Sequence, residues 1–126
     1  MKQQIVDHFN HSAQTALASG ESLADDILRA SEAMLDTLDN GGKLLLCGNG
    51  GSATDAMHFS AELLVRFQKE RKALPAVALV SDTATLTATG NDYAFDQIFS
   101  RQIEALATSG DHLVVITTSG NSLNIL

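Results

Sequence analysis

Apolar residues recur every three or four positions in the first part of the chain, and after residue 42 they form short continuous runs instead. The first pattern is typical of amphipathic helices and the second of buried strands. The helical pattern predicts two N-terminal helices. One ends at Gly20, and the other runs from a Ser22 cap to Asn40-Gly41-Gly42. The apolar positions that define them are Ile5, Phe9, Ala13, Ala16, Leu23, Ile27, Ala30, Met34 and Leu38. We expect these helices to pack against a sheet or another subunit.

The rest of the chain alternates short apolar runs with helical segments. The runs predict strands over residues 43–47, 76–80 and 113–116. The helices are predicted over 52–67, over 82–89 with Gly90 closing it, and through Phe95, Phe99, Ile103 and Leu106. Because strands that alternate with helices imply βαβ units, the predicted fold is α/β, a three-layer αβα arrangement with a parallel sheet.

The length of 126 residues is suited to one domain. We expect a single domain over 1–126, in which 1–40 is a helical segment and 41–126 is the first part of the sheet core. Three strands make a thin sheet, and a further helix should begin near Leu126. We therefore expect a sheet core that is truncated at its C-terminal side.

Composition and charge exclude several classes of function. A net charge of -7 argues against non-specific binding to nucleic acid, which needs a basic face. The apolar runs are too short to span a membrane, and the N-terminus lacks the apolar core of a signal peptide. The single cysteine, Cys47, lies in a predicted buried strand, which indicates an inert thiol in a reducing cytoplasm.

Two loops rich in glycine and hydroxyl groups each follow a predicted strand: GNGGS at 48–52 and TTSGNS at 117–122. Loops at the carboxyl ends of parallel strands share one crevice, where ligands bind. Small residues let backbone N–H groups approach an anion, and a helix that starts there adds the positive end of its dipole. GNGGS alone is equally compatible with an ordinary strand-to-helix turn. The hydroxyls of TTSGNS exceed the needs of a helix cap, so the sequence predicts a pocket for a phosphorylated small molecule.

The helix predicted after GNGGS carries two stripes of residues four positions apart. Phe59, Leu63 and Phe67 should enter the core, whereas His58, Glu62 and Arg66 should line a polar face. A solvated face with a Glu–Arg pair is one interpretation of that polar stripe. Alternatively, the histidine and the carboxylate one turn later could bind one zinc ion, or the carboxylate could act as a general base.

Three smaller polar features lie outside these stripes. Asn91-Asp92 follows Gly90 and is typical of a turn between helices, and Ser81-Asp82 is placed to cap the next helix. The remaining histidines, His8, His11 and His112, are expected on the surface.

Three linked blocks of sequence together resemble a known family. They read CGNGGSATDAMHFSAELLVRF, LPAVALVSDTATLTATGNDYAFDQIFSRQIEAL and TTSGNSLNIL. Their order and spacing resemble the sugar isomerase (SIS) fold, which is flavodoxin-like, and within it the phosphoheptose isomerase group. The resemblance implies conversion of sedoheptulose 7-phosphate to D-glycero-D-manno-heptose 7-phosphate through an enediol, for lipopolysaccharide heptose synthesis. It also implies a cytoplasmic homotetramer that uses zinc.

The resemblance also assigns roles to single residues. It implies that Glu62 is catalytic and that His58 and Glu62 bind zinc. The implied substrate-binding residues are Asn49, Gly50, Gly51, Ser52, Glu62, Arg66, Asn91, Asp92, Thr117, Thr118, Ser119 and Ser122. Thr117 stands where the group usually has a serine, which keeps the hydroxyl and adds a methyl group.

Two qualifications follow from the same resemblance. The group's second catalytic residue, a histidine, and a glutamine metal ligand fall beyond Leu126, so residues 1–126 alone are expected to be inactive. Some SIS proteins of similar sequence are instead adaptors that bind the replication initiator DnaA, and these lack the catalytic glutamate and one glycine of GNGGS. Because Glu62 and Gly51 are both present, the sequence favours the enzyme, with the DnaA adaptor as the alternative.

Overall fold

The computed structural model describes all residues from Met1 to Leu126, and its centre is a three-stranded parallel sheet. The strands are β1 (Leu44–Gly48), β2 (Ala76–Ala78) and β3 (His112–Ile116), in the spatial order β2-β1-β3. This is the order with which flavodoxin-like sheets begin. The α/β fold with a parallel sheet, predicted from the alternation of strands and helices, is confirmed.

The chain also forms four α-helices. They are α1 (Lys2–Asp39), α2 (Gly51–Leu64), α3 (Thr83–Asp92) and α4 (Ser100–Leu106), and a short 3₁₀ helix (Phe95–Gln97) precedes α4. Asp82 caps α3 as expected, because its carboxylate accepts hydrogen bonds from the backbone N–H groups of Ala84 and Thr85. Hydrogen bonds from the hydroxyl and N–H of Thr85 hold the pKa of Asp82 below its usual value.

The central strand β1 is buried along its whole length because helices cover both faces of the sheet. Alternate side chains enter opposite layers, as the two-residue period of a strand requires. Leu45 and Cys47 pack with Phe99 and Ile103 on one face, whereas Leu44 and Leu46 pack on the other. The second layer is completed by Met34, Leu38, Phe59 and Leu63. Burying a leucine stabilises the fold by about 1.5–3 kcal/mol. The two layers therefore hold β1 in place, and with it the loop that follows this strand.

The N-terminal segment is one helix, so the predicted break at Gly20 is wrong. Gly20 lies inside α1, and Ser22 donates its hydroxyl to the carbonyl of Ala18 instead of capping a new helix. A glycine in a helix interior costs about 1 kcal/mol, which the helical residues on both sides of Gly20 outweigh.

Several other boundaries also differ from the prediction. The strand predicted over 76–80 ends at Ala78, and Gly90 lies inside α3 instead of closing it. Helix α2 ends at Leu64, so Phe67 lies beyond it and is 71% exposed, although Phe59 and Leu63 enter the core as predicted. The segment predicted as one helix through Phe95 and Leu106 is divided into the 3₁₀ helix and α4.

The chain divides into two compact units, Met1–Ala33 and Met34–Leu126. In the first unit the large apolar side chains of α1 are exposed, including Phe9 at 73% and Ile27 at 58%. His8 and His11 are exposed on the same helix, as predicted. No helix of the structure has both the length and the apolar character needed to cross a membrane.

A partly buried ion pair joins the residues that precede β1 and β3, at the opposite end of these strands from the two loops. The Asp111 carboxylate accepts hydrogen bonds from the Lys43 ammonium at 2.5 Å and the Lys43 backbone N–H at 2.9 Å, and also from Thr108. These bonds favour the charged carboxylate and hold the pKa of Asp111 well below its usual range.

This depressed pKa predicts how acid affects stability. Because the pKa of Asp111 is lower in the folded state than its unfolded value of about 3.9, its stabilising contribution is complete above pH 4 and is lost as the pH falls further. We expect the urea midpoint of Asp111→Asn to be lower than that of the wild type at pH 7, with the difference shrinking below pH 4. Asp25→Asn, on the exposed face of α1, is the control; equal midpoints for Asp111→Asn and wild type at pH 7 would contradict the prediction.

Candidate active site

The loop after β1 forms a tight turn into α2. A Cβ atom on Gly48 would lie 2.5 Å from the carbonyl oxygen of Ser52, and Gly50 has a φ of 57°, a left-handed conformation that favours glycine. The carbonyl of Asn49 accepts a hydrogen bond from the N–H of Ser52 at 3.0 Å. The N–H groups of Gly50 and Gly51 make no hydrogen bond within the chain, so they are free to donate to an anion at the start of α2.

The TTSGNS segment after β3 is held by its own side chains. The Thr117 hydroxyl accepts a hydrogen bond from the Gly120 N–H at 3.1 Å, and the Ser119 hydroxyl accepts one from the Asn121 N–H at 3.2 Å. Each of these hydroxyls keeps its own proton for donation. The hydroxyls of Thr118 and Ser122 make no hydrogen bond within the chain, so all four can donate to a ligand.

The two loops are joined directly. The side-chain amides of Asn49 and Asn124 form two reciprocal hydrogen bonds, each 2.8 Å from nitrogen to oxygen. Both residues line a cleft of about 430 Å³ together with Ser122 and Phe95. A second cleft, of about 480 Å³, is lined by Gly50, Asn49 and Phe95 among other residues. Asn49 therefore lies where the glycine loop, the hydroxyl loop and the 3₁₀ helix meet. The pairing of Asn124 with Asn49 has no signal in the local sequence.

The polar stripe of α2 is present for two of its three predicted members. His58 Nε2 lies 2.9 Å from Glu62 Oε1, and the side chains are 76% and 33% exposed. Arg66 lies beyond the end of α2 and pairs with Glu70 at 3.0 Å, so the predicted alignment of Arg66 with Glu62 is wrong. At the end of α2, Arg71, which the sequence did not single out, donates to the carbonyl oxygens of Glu62 at 2.5 Å and Leu63 at 2.8 Å.

The Asn91-Asp92 pair forms the last two residues of α3 instead of a turn between helices. The amide of Asn91 donates to the Asp92 carboxylate at 2.7 Å, and both side chains are exposed. One carboxylate oxygen of Asp92 and the carbonyl oxygen of Asn91 remain available to accept hydrogen bonds from a sugar hydroxyl.

On α2, the free N–H groups at the start of the helix are separated from the His58–Glu62 pair further along it. Glu62 lies eleven residues after Gly51 on α2, which corresponds to roughly 16 Å along the helix axis. The arrangement can therefore hold an anion at one end and move a proton at the other.

The donor types of His58 and Glu62 fit zinc, which binds imidazole nitrogen and carboxylate oxygen. Catalytic zinc sites use three protein ligands. No group of three or more His, Cys, Asp or Glu side chains in the structure is arranged to hold a metal ion.

Comparison with known families decides the relationship. The model of the SIS domain matches residues 8–126. This chain belongs to the SIS domain family. Its glycine and hydroxyl loops therefore lie at the ends of two strands of an SIS sheet.

Individual SIS relatives are similar over the whole chain. A phosphoheptose isomerase of Shewanella loihica is 55% identical over 126 residues, which are 100% of this chain and 64% of that protein. Solved phosphoheptose isomerase structures from Neisseria gonorrhoeae and Francisella tularensis are each 48% identical, with TM-scores of 0.90 and 0.93. This chain covers 64% of each of those structures and is itself covered to 98%. It thus spans slightly less than two thirds of the length of these relatives.

Proposed function

We propose that this SIS chain forms the substrate-binding and proton-transfer part of a phosphoheptose isomerase. The enzyme would convert sedoheptulose 7-phosphate to D-glycero-D-manno-heptose 7-phosphate, for lipopolysaccharide heptose synthesis. The observation that carries the proposal is the presence, on one helix, of free N–H groups at its start and a His58–Glu62 pair further along. The names of the relatives support the same activity. Formation of the aldose by the intact protein, with any further residues it carries, is the test.

Glu62 is the proposed base of the isomerisation. Its carboxylate takes a proton from C1 of the ketose, the electrons of the C1–H bond form the C1–C2 double bond, and the C2 oxygen gains a proton to give the enediol. Return of a proton to C2 and loss of one from the C1 hydroxyl then give the aldose. Imidazole and carboxylate at 2.9 Å form a hydrogen-bonded pair, so His58 also orients Glu62.

The two loops are the proposed binding site for the phosphate and sugar. The hydroxyls of Thr117, Thr118, Ser119 and Ser122 donate to phosphate oxygens, and the N–H groups of Gly50 and Gly51 donate to the sugar oxygens. The remaining residues proposed to contact the substrate are Asn49, Ser52, Glu62, Arg66, Asn91 and Asp92. Arg66 is the only charged donor in this set, and the carboxylates of Glu62 and Asp92 accept hydrogen bonds.

Zinc is the proposed cofactor, with His58 and Glu62 as two of its ligands. When bound, zinc polarises the substrate's oxygens and stabilises negative charge on the enediolate. We expect His58→Ala to lower the zinc content of the purified intact protein, because one of the ligands is removed. Elemental analysis measures this, with the exposed His8→Ala as the control. Equal zinc content in His58→Ala and wild type would show that the His58–Glu62 pair is a surface interaction and not part of a zinc site.

A homotetrameric, cytoplasmic protein is also proposed. The support for self-association is the apolar surface of α1, where Phe9, Leu17 and Ile27 are all more than half exposed. A long helix with such a face gains most of its stability from packing. The support for a cytoplasmic location is the metabolic character of the relatives and the single cysteine, Cys47, whose pKa is raised by burial. Retention of Glu62 and Gly51 favours the enzyme over a DnaA adaptor.

A further inference from the structure

We propose that Asn124 is a positioning residue, which fixes the loop after β1 against the loop after β3 through its side-chain pairing with Asn49. The proposal deepens the proposed function and rests on it, because the two loops matter only if one ligand contacts both. Asn124 would act through Asn49 and the loop geometry without touching the substrate itself.

The chemistry of the pair is specific to two amides. Each asparagine side chain donates one N–H and accepts at its carbonyl oxygen, so the two can bond reciprocally, as the two 2.8 Å distances describe. A carboxylate or a hydroxyl at either position could not supply both bonds in this geometry. Asn124 is only 8% exposed, and hydrogen bonds are stronger where water is partly excluded.

Each asparagine is also bonded into its own loop. The Asn49 carbonyl accepts the Ser52 N–H, which links the pair to the start of α2. Asn124 lies in a turn closed by the Ile125 N–H and the Ser122 carbonyl at 2.9 Å. The pair therefore sets the separation between the free N–H groups of α2 and the Ser122 hydroxyl, although 75 residues separate its members.

The pairing limits the ligand contacts of Asn49. One of its N–H hydrogens and one lone pair of its side-chain oxygen bond to Asn124, so one hydrogen and one lone pair remain for a ligand. The backbone N–H groups of Gly50 and Gly51 supply the other ligand contacts of this loop. A ligand that spans both loops depends on the pair, whereas a small anion bound to the TTSGNS hydroxyls alone does not.

The first test measures the pair itself by amide hydrogen exchange in the intact protein. Asn124→Ala, Asn49→Ala and the double variant are compared with Asn40→Ala, a variant at a distant exposed asparagine. The N–H groups of Ser52, Ala53 and Thr54 should exchange about tenfold faster in both single variants, the scale of one or two net hydrogen bonds. The double variant should exchange no faster than either single variant, because both changes remove the same interaction.

The second test separates positioning from general loosening. In Asn124→Ala we expect the KM for sedoheptulose 7-phosphate to rise about tenfold while kcat changes less than about threefold. The inhibition constant of inorganic phosphate, which can bind to one loop, should change less than about threefold.

If the N–H groups of Ser52, Ala53 and Thr54 exchange at the wild-type rate in Asn124→Ala, the pairing is overturned. If they exchange faster but the KM is unchanged, the role of Asn124 in positioning is overturned. Equal weakening of the binding of inorganic phosphate and of the sugar phosphate would also overturn the role in positioning, because collapse of the TTSGNS loop would then explain both losses of binding. If the wild type does not convert the sugar phosphate, the proposed function fails, and with it the role in substrate positioning. The exchange data still decide whether the pair joins the loops.

Discussion

Glu62→Gln is expected to lower the kcat of the intact protein by about 10²–10⁴-fold, the usual contribution of general acid–base catalysis. Glutamine keeps the size of the side chain and an oxygen that can accept from His58, which lies 2.9 Å away, but it cannot take a proton from carbon. The fold should therefore be retained while the proton transfer is lost. Steady-state turnover of sedoheptulose 7-phosphate measures the effect.

The matched control is Glu104→Gln, an exposed glutamate on α4 outside both clefts described above. Both variants should have the circular dichroism spectrum and thermal midpoint of the wild type, and only Glu62→Gln should lose activity. Turnover of Glu62→Gln within a few-fold of the wild type would remove Glu62 from the mechanism.

Ser119→Ala and Ser122→Ala are expected to raise the KM for the sugar phosphate by about 10- to 150-fold each. This range corresponds to the loss of one hydrogen bond to a charged group, about 1.5–3 kcal/mol. The kcat should change much less, because contacts to the phosphate persist from the ground state to the transition state. Ser122→Ala is the cleaner variant, since the Ser119 hydroxyl also accepts the Asn121 N–H.

Ser109→Ala is the control for these variants, because Ser109 is exposed and precedes β3, whereas TTSGNS follows the other end of that strand. It should leave the KM unchanged. A kcat that falls in Ser122→Ala while the KM stays constant would place this hydroxyl at the reacting carbons instead of at the phosphate.

Much of the fold was predictable because it depends on periodicity. The apolar run of β1 and the alternation of strands and helices identified a parallel α/β sheet, and spacing of four placed His58 beside Glu62. Glycine was less informative, since Gly20 and Gly90 both lie inside helices. A single glycine costs a helix too little to end it when the residues on both sides favour helix.

The features that the sequence did not reveal depend on contacts between distant residues. Arg71 donates to carbonyls eight and nine residues earlier at the end of α2, and Arg66 lies beyond that end, off the polar stripe. Asn124 meets Asn49 because β1 and β3, the strands that precede their two loops, pair with each other. Neither contact follows from helix or strand periodicity, because tertiary packing brings the partners together. The substrate-site residues implied by the resemblance remain predictions.

Conversion of sedoheptulose 7-phosphate tests the central claim most directly. The intact protein, with any further residues that it carries, is incubated with the ketose, and the aldose product is measured by nuclear magnetic resonance. We expect D-glycero-D-manno-heptose 7-phosphate to accumulate with the wild type and not with Glu62→Gln. Absence of the aldose with a folded wild-type protein would contradict the proposed activity, and firm binding of DnaA by the same sample would establish the adaptor instead.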